Sequence, residues 1–423
     1  MRGGKKRFCI VPFVSLVIGD ACRVLGIGER SNFEQLNLSG FKHTHSHADL
    51  AQLIRRNGYA VEEHFAETSD GYVLGLHRLP SSKADGGTPV VLQHGLLDSA
   101  ATWVVNDAKH SLGFILADHG YDVWLASSRG STFARNHTGW STESTQFWDF
   151  TLDDMAAYDL PCTIEYVRRH TNGQAVALVA HSQGAALSLA SLASGAIPPG
   201  HVKLLITLAP AVFLKYIDSV PLQFLASVHA DTLFKSVGRR EFLPTDLKTA
   251  DLFGLFCTTA PQQCVSILTA ICGFNPSNVD ASRLPVYLAW APSGTSVKNM
   301  AHWAQRVRDA QVGFTFRKYD YGRICSIAGA RVACNQHMYG HLQPPSYDLS
   351  AISKRSDDVK IAVFYGTEDI LADPVDVRTV VSSLGDVAVY EKGLVGYTHL
   401  DFTWSLSAAD EVYQDVLGLL TSY

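Results

Sequence analysis

Continuous apolar runs of five to seven residues recur through the middle of the chain, at Pro89–Gln93, Tyr121–Leu125, Ala175–Ala180 and Val202–Leu208. Ala108–His119 and Asp153–His170, which lie between them, have the length and spacing of helices. A strand apolar at every position is buried on both faces, and alternation with helices reads as βαβ units around a parallel sheet. Ahead of these runs, Val61–Thr68 and Tyr72–Leu79 flank Ser69-Asp70-Gly71, a turn signal that predicts a hairpin. Ser46 with Asp49 supplies capping residues for a helix running to Asn57, ended by Gly58. From about Phe213 to Ser356 the rhythm stops, in a stretch carrying Pro221, Pro244, Pro261, Pro276, Pro285, Pro292, Pro344 and Pro345. It returns as a strand at Lys360–Tyr365, a helix at Val375–Leu384, a strand at Val387–Glu391 and a helix at Ala408–Leu420. The pattern predicts an α/β core interrupted by an irregular insertion of about 140 residues, and long irregular segments in compact proteins are usually functional.

The first residues stand outside that pattern. Arg2, Lys5, Lys6 and Arg7 precede the apolar run Phe8–Ile18, and Gly19-Asp20-Ala21 offers small residues for cleavage. This is the layout of a secretory signal peptide with a core too short to span a bilayer; an uncleaved anchor is the alternative. No later run reaches the roughly 18 apolar residues of a spanning helix. The expected organisation is a signal peptide at 1–21, an extension at 22–45, core at 46–212, the irregular insertion at 213–356, and core again at 357–423.

Composition narrows the function only a little. With Lys and Arg totalling 35 and Asp and Glu 40, the formal charge of −5 gives no electrostatic footprint for nucleic acid. Five of the eight cysteines fall in the insertion; Cys257 with Cys264 and Cys325 with Cys334 are spaced to close short loops in an oxidising compartment, and buried free thiols are the alternative. Two glycosylation sequons, Asn37-Leu-Ser39 and Asn136-His-Thr138, fit export weakly. His43-Thr-His45-Ser-His47 has no carboxylate or cysteine cluster beside it and reads as a solvated loop, and no CxxC pair suggests a zinc site.

The chemistry concentrates at strand ends. The run Ala175–Ala180 leads straight into His181-Ser182-Gln183-Gly184 and then the helical run Ala185–Ala193. A strand–elbow–helix holds its serine in a strained geometry above the sheet edge and needs small residues two before and two after, here Ala180 and Gly184. The plainer reading makes Ser182 a helix cap. Serine needs a base and the base an orienting acid, in the chain order serine, acid, histidine. Asp369 follows the strand Lys360–Tyr365, and His399 lies in the loop after the next strand. Glu368, Asp373 and Asp401 compete for the acid, and His302, His337 and His341 for the base, but the three histidines lie in the insertion, away from a strand edge. The backbone N–H groups of Leu96, just past Pro89–Gln93, and of Gln183, just past the serine, are the candidate oxyanion donors. An ordinary turn in which Gly95 takes a positive φ is the alternative for the first loop.

Taken together, Gln93-His-Gly-Leu-Leu-Asp-Ser-Ala-Ala-Thr-Trp103, Gly120-Tyr-Asp-Val-Trp-Leu-Ala-Ser-Ser-Arg-Gly130, Tyr158-Asp-Leu-Pro161, His181-Ser-Gln-Gly184, Cys272-Gly-Phe274, Gly294-Thr-Ser-Val-Lys-Asn-Met300, Glu368-Asp-Ile-Leu-Ala-Asp373 and His399-Leu-Asp-Phe402 resemble the acid lipase family of gastric and lysosomal enzymes, from about Ala48 to the C-terminus. The resemblance implies an α/β-hydrolase core, its mostly parallel sheet flanked by helices, with an inserted, mainly helical cap and lid. It implies Ser182 as nucleophile, Asp369 as acid, His399 as base, Leu96 and Gln183 as oxyanion donors, and a cap disulfide Cys257–Cys264 that leaves Cys272 free. Ala180 stands where the family has glycine, the Cys257–Cys264 spacing differs, and Arg323–Gln336 looks like extra sequence, which bears on lid detail and substrate preference.

The expected activity is hydrolysis of neutral lipid esters, triacylglycerol or steryl ester, at a lipid–water interface in a secreted or lysosome-like compartment, with no metal or organic cofactor. A short-chain carboxylesterase is the alternative within that chemistry; a non-catalytic lipid-binding or adhesion protein on the same scaffold is the alternative outside it. The Phe- and Leu-rich stretch from Phe213 to Phe256 reads either as an amphipathic lid or as cap core, and a closed lid is both.

Overall fold

The computed structural model describes residues 49–84, 86–227, 240–243, 259–280, 283–327, 330–355 and 359–423, all within the unit His47–Tyr423. The signal peptide and extension, the His43–His47 motif, the Asn37 sequon, Cys257 and most of the apolar lid stretch (Leu233, Phe234, Leu252, Phe253, Leu255 and Phe256 among them) lie outside the described residues.

One twisted sheet organises the described chain. Its strands are β1 (Glu62–Glu67), β2 (Tyr72–Leu79), β3 (Pro89–Gln93), β4 (Asp122–Ala126), β5 (Val176–His181), β6 (Val202–Leu208), β7 (Lys360–Gly366) and β8 (Ala388–Leu394), in the spatial order β1-β2-β4-β3-β5-β6-β7-β8. The short segment Asn136–His137 pairs beside β2. β1 and β2 form the antiparallel hairpin expected around Asp70-Gly71, β2 runs antiparallel to β4, and every pairing from β4 to β8 is parallel. β3, β4 and β5 are buried at every residue, as continuous apolar runs require. Edge strand β1, by contrast, is mostly exposed and carries Glu62, Glu63 and Glu67, charges that blunt pairing with another chain.

Helix ends follow local chemistry. Asp49 caps α1 (Leu50–Arg56), its carboxylate accepting from the Gln52 N–H at 2.6 Å, while Ser46 lies outside the described residues. Helix α2 is Leu112–Asp118, a shorter span than its sequence pattern, and α4 (Gln183–Ser194) stops at Gly195 in the left-handed conformation. The expected single helix from Asp153 to His170 is three pieces: a capped turn at Leu152–Asp154, a π-helical turn at Met155–Asp159, and α3 (Leu160–His170). Pro161 has no N–H to continue the α ladder, and the wider turn ahead of it absorbs the lost hydrogen bond. The final helix likewise divides at Val412, into Ala408–Glu411 and Tyr413–Ser422.

Within the insertion the described elements include α5 (Val220–Ser227), α6 (Pro261–Cys272) and α7 (Val297–Asp309), and Glu241–Phe242 pairs with Thr295–Ser296. The hairpin Cys325–Ile327/Ala330–Val332 is closed by the disulfide Cys325–Cys334. Cys264 is also disulfide-bonded, while Cys162 and Cys272 are free. Among the described residues no helix is long and apolar enough to cross a membrane.

The π-turn has a structural consequence. It points Asp159 at Arg129, a fully buried cation in the loop after β4. Arg129 Nε donates to Asp159 Oδ1 at 2.7 Å, its Nη1 to Asp70 Oδ2 at 2.7 Å, and its backbone N–H to Asp159 Oδ2 at 2.9 Å. The guanidinium also lies 3.9 Å over the Tyr72 ring. Burial pushes the Asp159 carboxyl up to about 6, against the pull of the Arg129 charge. One guanidinium thus ties the β1–β2 turn, the post-β4 loop and the start of α3 together. Arg129→Met would leave Asp159 buried and unpaired, and should cost about 3–5 kcal/mol of unfolding free energy. Urea denaturation measures it; an unchanged midpoint would remove this tie from the account of the fold.

Candidate functional site

Four of the eight strands, β3, β5, β7 and β8, lead into one place. β5 delivers its last residue, His181, and the chain then turns through Ser182 at φ 54°, ψ −117°, a strained conformation for a residue with a Cβ. Ser182 makes no capping bond to α4, so the helix-cap reading fails. The small-residue requirement has a measurable cause. A Cβ at Gly184 would lie 2.6 Å from the His94 carbonyl oxygen and 2.7 Å from that of Gln93. Ala180 is wholly buried between its strand partners Gln93 and Thr207, where its methyl group fits.

The loop after β3 crosses over the elbow. A Cβ at Gly95 would stand 3.0 Å from Ser182 Cβ and 3.2 Å from His181 Nδ1, so glycine is there for clearance. Gly95 does not have the positive φ of the simple-turn alternative; Leu97 does, at 57°. His94 holds the loop, its Nδ1–H donating to the Gly95 carbonyl at 2.8 Å while Nε2 accepts from the Ser128 N–H at 3.1 Å. Gln183 opens α4, and the first N–H groups of a helix have no preceding turn to bond.

β7 ends at Gly366, and Asp369 follows with its side chain buried. Asp369 Oδ1 accepts from the N–H groups of Leu371 at 2.8 Å and Ala372 at 2.9 Å. Its Oδ2 receives His399 Nδ1–H at 2.8 Å, and His399 Nε2 lies 2.7 Å from Ser182 Oγ. An ionised carboxylate only accepts, so His399 carries its proton on Nδ1 and leaves Nε2 free to accept from the serine hydroxyl. The competing residues sit elsewhere. Asp373 caps the helix α8 (Pro374–Leu384), Glu368 is exposed, His302 is buried against the Arg317 carbonyl, and His337 and His341 are exposed. Asp401 supports the histidine loop, its Oδ2 accepting from Thr398 N–H at 2.7 Å and from Asn278 Nδ2 at 2.9 Å.

Further contacts had no motif pointing to them. His181 Nε2–H donates to the His399 carbonyl at 2.9 Å. The Gln183 side-chain oxygen accepts from Asn299 Nδ2 at 2.9 Å and Trp303 Nε1 at 2.7 Å, both on α7 of the insertion. Asn299 belongs to the Gly294–Met300 motif, which carried a resemblance without a role.

Ser182 and His399 open onto a cavity of about 270 Å³ lined mainly by apolar side chains, among them Leu214, Leu222, Leu268, Met300 and Trp303. Leu96 is part of its wall, as is free Cys272, whose thiol burial pushes up to about 12. Chemically, the arrangement offers a hydroxyl with a base at hydrogen-bond distance, an acid behind the base, and an apolar chamber in front. Among the described residues no cluster of histidine, cysteine and carboxylate could hold a metal ion.

Residues 88–404 match the family model described as "alpha/beta hydrolase fold", and residues 50–107 match the "partial alpha/beta-hydrolase lipase region". Gastric triacylglycerol lipase of Homo sapiens is 37% identical to the chain, over 88% of it and 91% of that protein. Lysosomal acid lipase/cholesteryl ester hydrolase of Macaca fascicularis is 35% identical, over 89% and 91%. Lipase member K of Homo sapiens is 33% identical, over 96% and 98%. Among solved structures, an alpha/beta hydrolase fold protein from Nakamurella multipartita (15% identity, 85% of this chain and 99% of that one) and a carboxyl esterase from Bacillus coagulans (13%, 86% and 98%) each superpose with a TM-score of 0.50, a likeness of fold.

The elbow geometry also fixes a protonation state. Burial, and next the neighbouring His399, depress the His181 imidazole to about 3. His181 should therefore stay neutral, donating from Nε2, at every pH from 8 down to 4. A ¹⁵N NMR titration checks this; protonation near pH 6 would show that the ring does not hold the His399 backbone as drawn.

Proposed function

Because the chain belongs to the acid lipase family of α/β hydrolases, we propose that it hydrolyses carboxylic esters of neutral lipids through an acyl-enzyme on Ser182. One observation carries the reading: the continuous hydrogen-bond chain from Ser182 Oγ through His399 to Asp369, facing an apolar cavity.

Ser182 Oγ attacks the ester carbonyl as His399 Nε2 takes its proton, and Asp369 stabilises the imidazolium and fixes its orientation. The carbonyl oxygen gains negative charge and is met by the N–H groups of Leu96 and Gln183, each such donor contributing roughly 3–4 kcal/mol of barrier lowering in known cases. His399 returns the proton to the leaving alcohol, and the acyl group stays on Ser182. Water then enters, loses a proton to His399 and attacks the acyl-enzyme, releasing the fatty acid. These steps need neither metal nor organic cofactor.

The cavity wall supports a long hydrocarbon chain over a polar substrate, since every methylene it takes out of water contributes about 0.8 kcal/mol. The relatives' printed activities span triacylglycerol and cholesteryl ester, which makes both substrates of first interest. A secreted or lysosome-like compartment fits the N-terminal signal pattern, the Cys325–Cys334 disulfide and the gastric and lysosomal relatives.

Purified protein should hydrolyse emulsified trioleoylglycerol, cholesteryl oleate or both between pH 4 and 8. Ser182→Ala should lower the rate by on the order of 10⁶ while leaving the fold intact. Appreciable turnover by the pure variant would sink the assignment of Ser182. Failure of the unmodified protein to react with a serine-directed phosphonate would favour a non-catalytic lipid-binding role.

A further inference from the structure

The apolar cavity contains one group out of keeping with it. Asp98, three residues past Gly95, lies on the wall with Leu96 and Leu97, in company with Leu214, Leu268 and Trp303. Its neighbours hold it there. Leu97 is locked at a positive φ, and its carbonyl accepts from the Ser293 N–H at 2.8 Å. Ser99 donates its hydroxyl to the Trp290 carbonyl at 3.4 Å, and its N–H to Asp98 Oδ1 at 2.8 Å. No lysine, arginine or histidine pairs with the carboxyl among the described residues. The insertion segment 288–293 packed over this loop has no ionisable side chain, and neither has the turn Ala100–Trp103 beneath it. Among the described residues the other titratable groups on the cavity wall are His181, His399 and Cys272, with Asp369 behind His399. The proposed mechanism assigns Asp98 no role.

We propose that Asp98 is a specificity-determining residue, a carboxyl whose ionisation decides whether the cavity accepts a long apolar chain of the substrate. The inference rests on the serine-hydrolase reading of the same site. Protonated, the carboxyl is a small uncharged wall element against which a chain can lie. Ionised, it has no countercharge among the described residues, only hydrogen bonds from the Ser99 N–H and the Thr102 side chain, and a chain packed against it would strip the water that completes its solvation, a heavy penalty in an apolar surround. Desolvation pushes the Asp98 carboxyl up to about 7, so the change falls within an ordinary working range. The sign follows: below that pH the wall is neutral and long chains enter; above it they are excluded, while esters too short to fill the cavity are little affected.

The test compares two soluble substrates, p-nitrophenyl octanoate and p-nitrophenyl acetate, as monomers from pH 5 to pH 9. The ratio of their kcat/KM values cancels any titration of His399 common to both. In the unmodified protein the octanoate-to-acetate ratio should fall about tenfold or more with rising pH, with the change in KM for the octanoate. In Asp98→Asn, which keeps the shape and removes the charge, the ratio should stay near its acid value throughout. Asp98→Leu should behave likewise, and serves if the asparagine variant does not fold. A ratio independent of pH in the unmodified protein overturns the proposal without any variant, and so does an equal fall in Asp98→Asn. Failure of the hydrolase reading looks different: acetate hydrolysis would then survive Ser182→Ala.

Discussion

Everything at the site depends on a backbone held where a serine does not ordinarily go. Ser182 sits at φ 54°, which costs on the order of 1–3 kcal/mol and persists only if its surroundings leave no alternative. They leave none. Behind it, β5 is clamped between β3 and β6 with every residue buried, and ahead α4 is buried along nearly its whole length. The clearance between α4 and the β3 end is so small that a single Cβ at Gly184 would collide with two carbonyl oxygens. Relaxing Ser182 toward ordinary φ would swing α4 off the sheet and expose that apolar surface. The strain is thus secured by burial on both sides, and the hydroxyl is left above the sheet edge with His399 as its neighbour.

The insertion takes part in this arrangement as well as covering it. Gln183, adjacent to Ser182, hands its side-chain oxygen to Asn299 and Trp303 on α7. Asn275 and Asn278 both donate to the Gly396 carbonyl, and Asn278 also reaches Asp401, at the two ends of the loop that carries His399. Ser293 braces Leu97 in the loop beside Leu96. The start of α4 and the loops carrying Leu96 and His399 are therefore each fastened by a polar contact from the insertion. Movement of that segment would be felt at Ser182, His399 and the candidate oxyanion donor together, and beside Asp369 as well: the Asp369 side chain is held by the Leu371 and Ala372 N–H groups, and the next residue's carbonyl, that of Ile370, accepts from the Asp218 N–H of the insertion at 2.8 Å.

Much of this is legible in the amino-acid sequence. Pro89–Gln93 and Val202–Leu208 are strands with the bounds their apolar runs suggest, because strands buried at all or nearly all of their residues are mostly apolar and stand out from the polar loops around them. Asp369 and His399 stood out because each follows a strand, and a shared sheet edge can bring residues thirty apart in sequence into contact. What stayed hidden depends on partners far along the chain. Nothing local to Gln183 says that its side chain meets Asn299, 116 positions away. The π-turn at Met155–Asp159 was equally hidden, since a helix with one residue inserted keeps nearly the same apolar spacing. Asp98 was visible within a quoted motif, yet a carboxylate after a strand reads as a surface residue until the insertion is folded over it.

The buried titratable groups show how such a site tolerates a change of pH. His77 and His94 are held neutral down to about 4 and His181 to about 3, chiefly by desolvation. An unfolded chain would protonate them near ~6.5, so between that value and their folded values the unfolded state binds more protons, and these groups withdraw stability as pH falls. Asp98, Asp159 and Asp376 do the opposite. Burial raises them to about 7, 6 and 6, well above an exposed carboxyl, so across the same range the folded state binds more protons and gains stability as pH falls. The two sets overlap in window and oppose in sign. A fold that keeps its elbow histidines neutral, as the contact from His181 to His399 requires, meets acid with desolvated carboxyls that move the other way. The groups most strained by acidification are thereby offset within the same molecule.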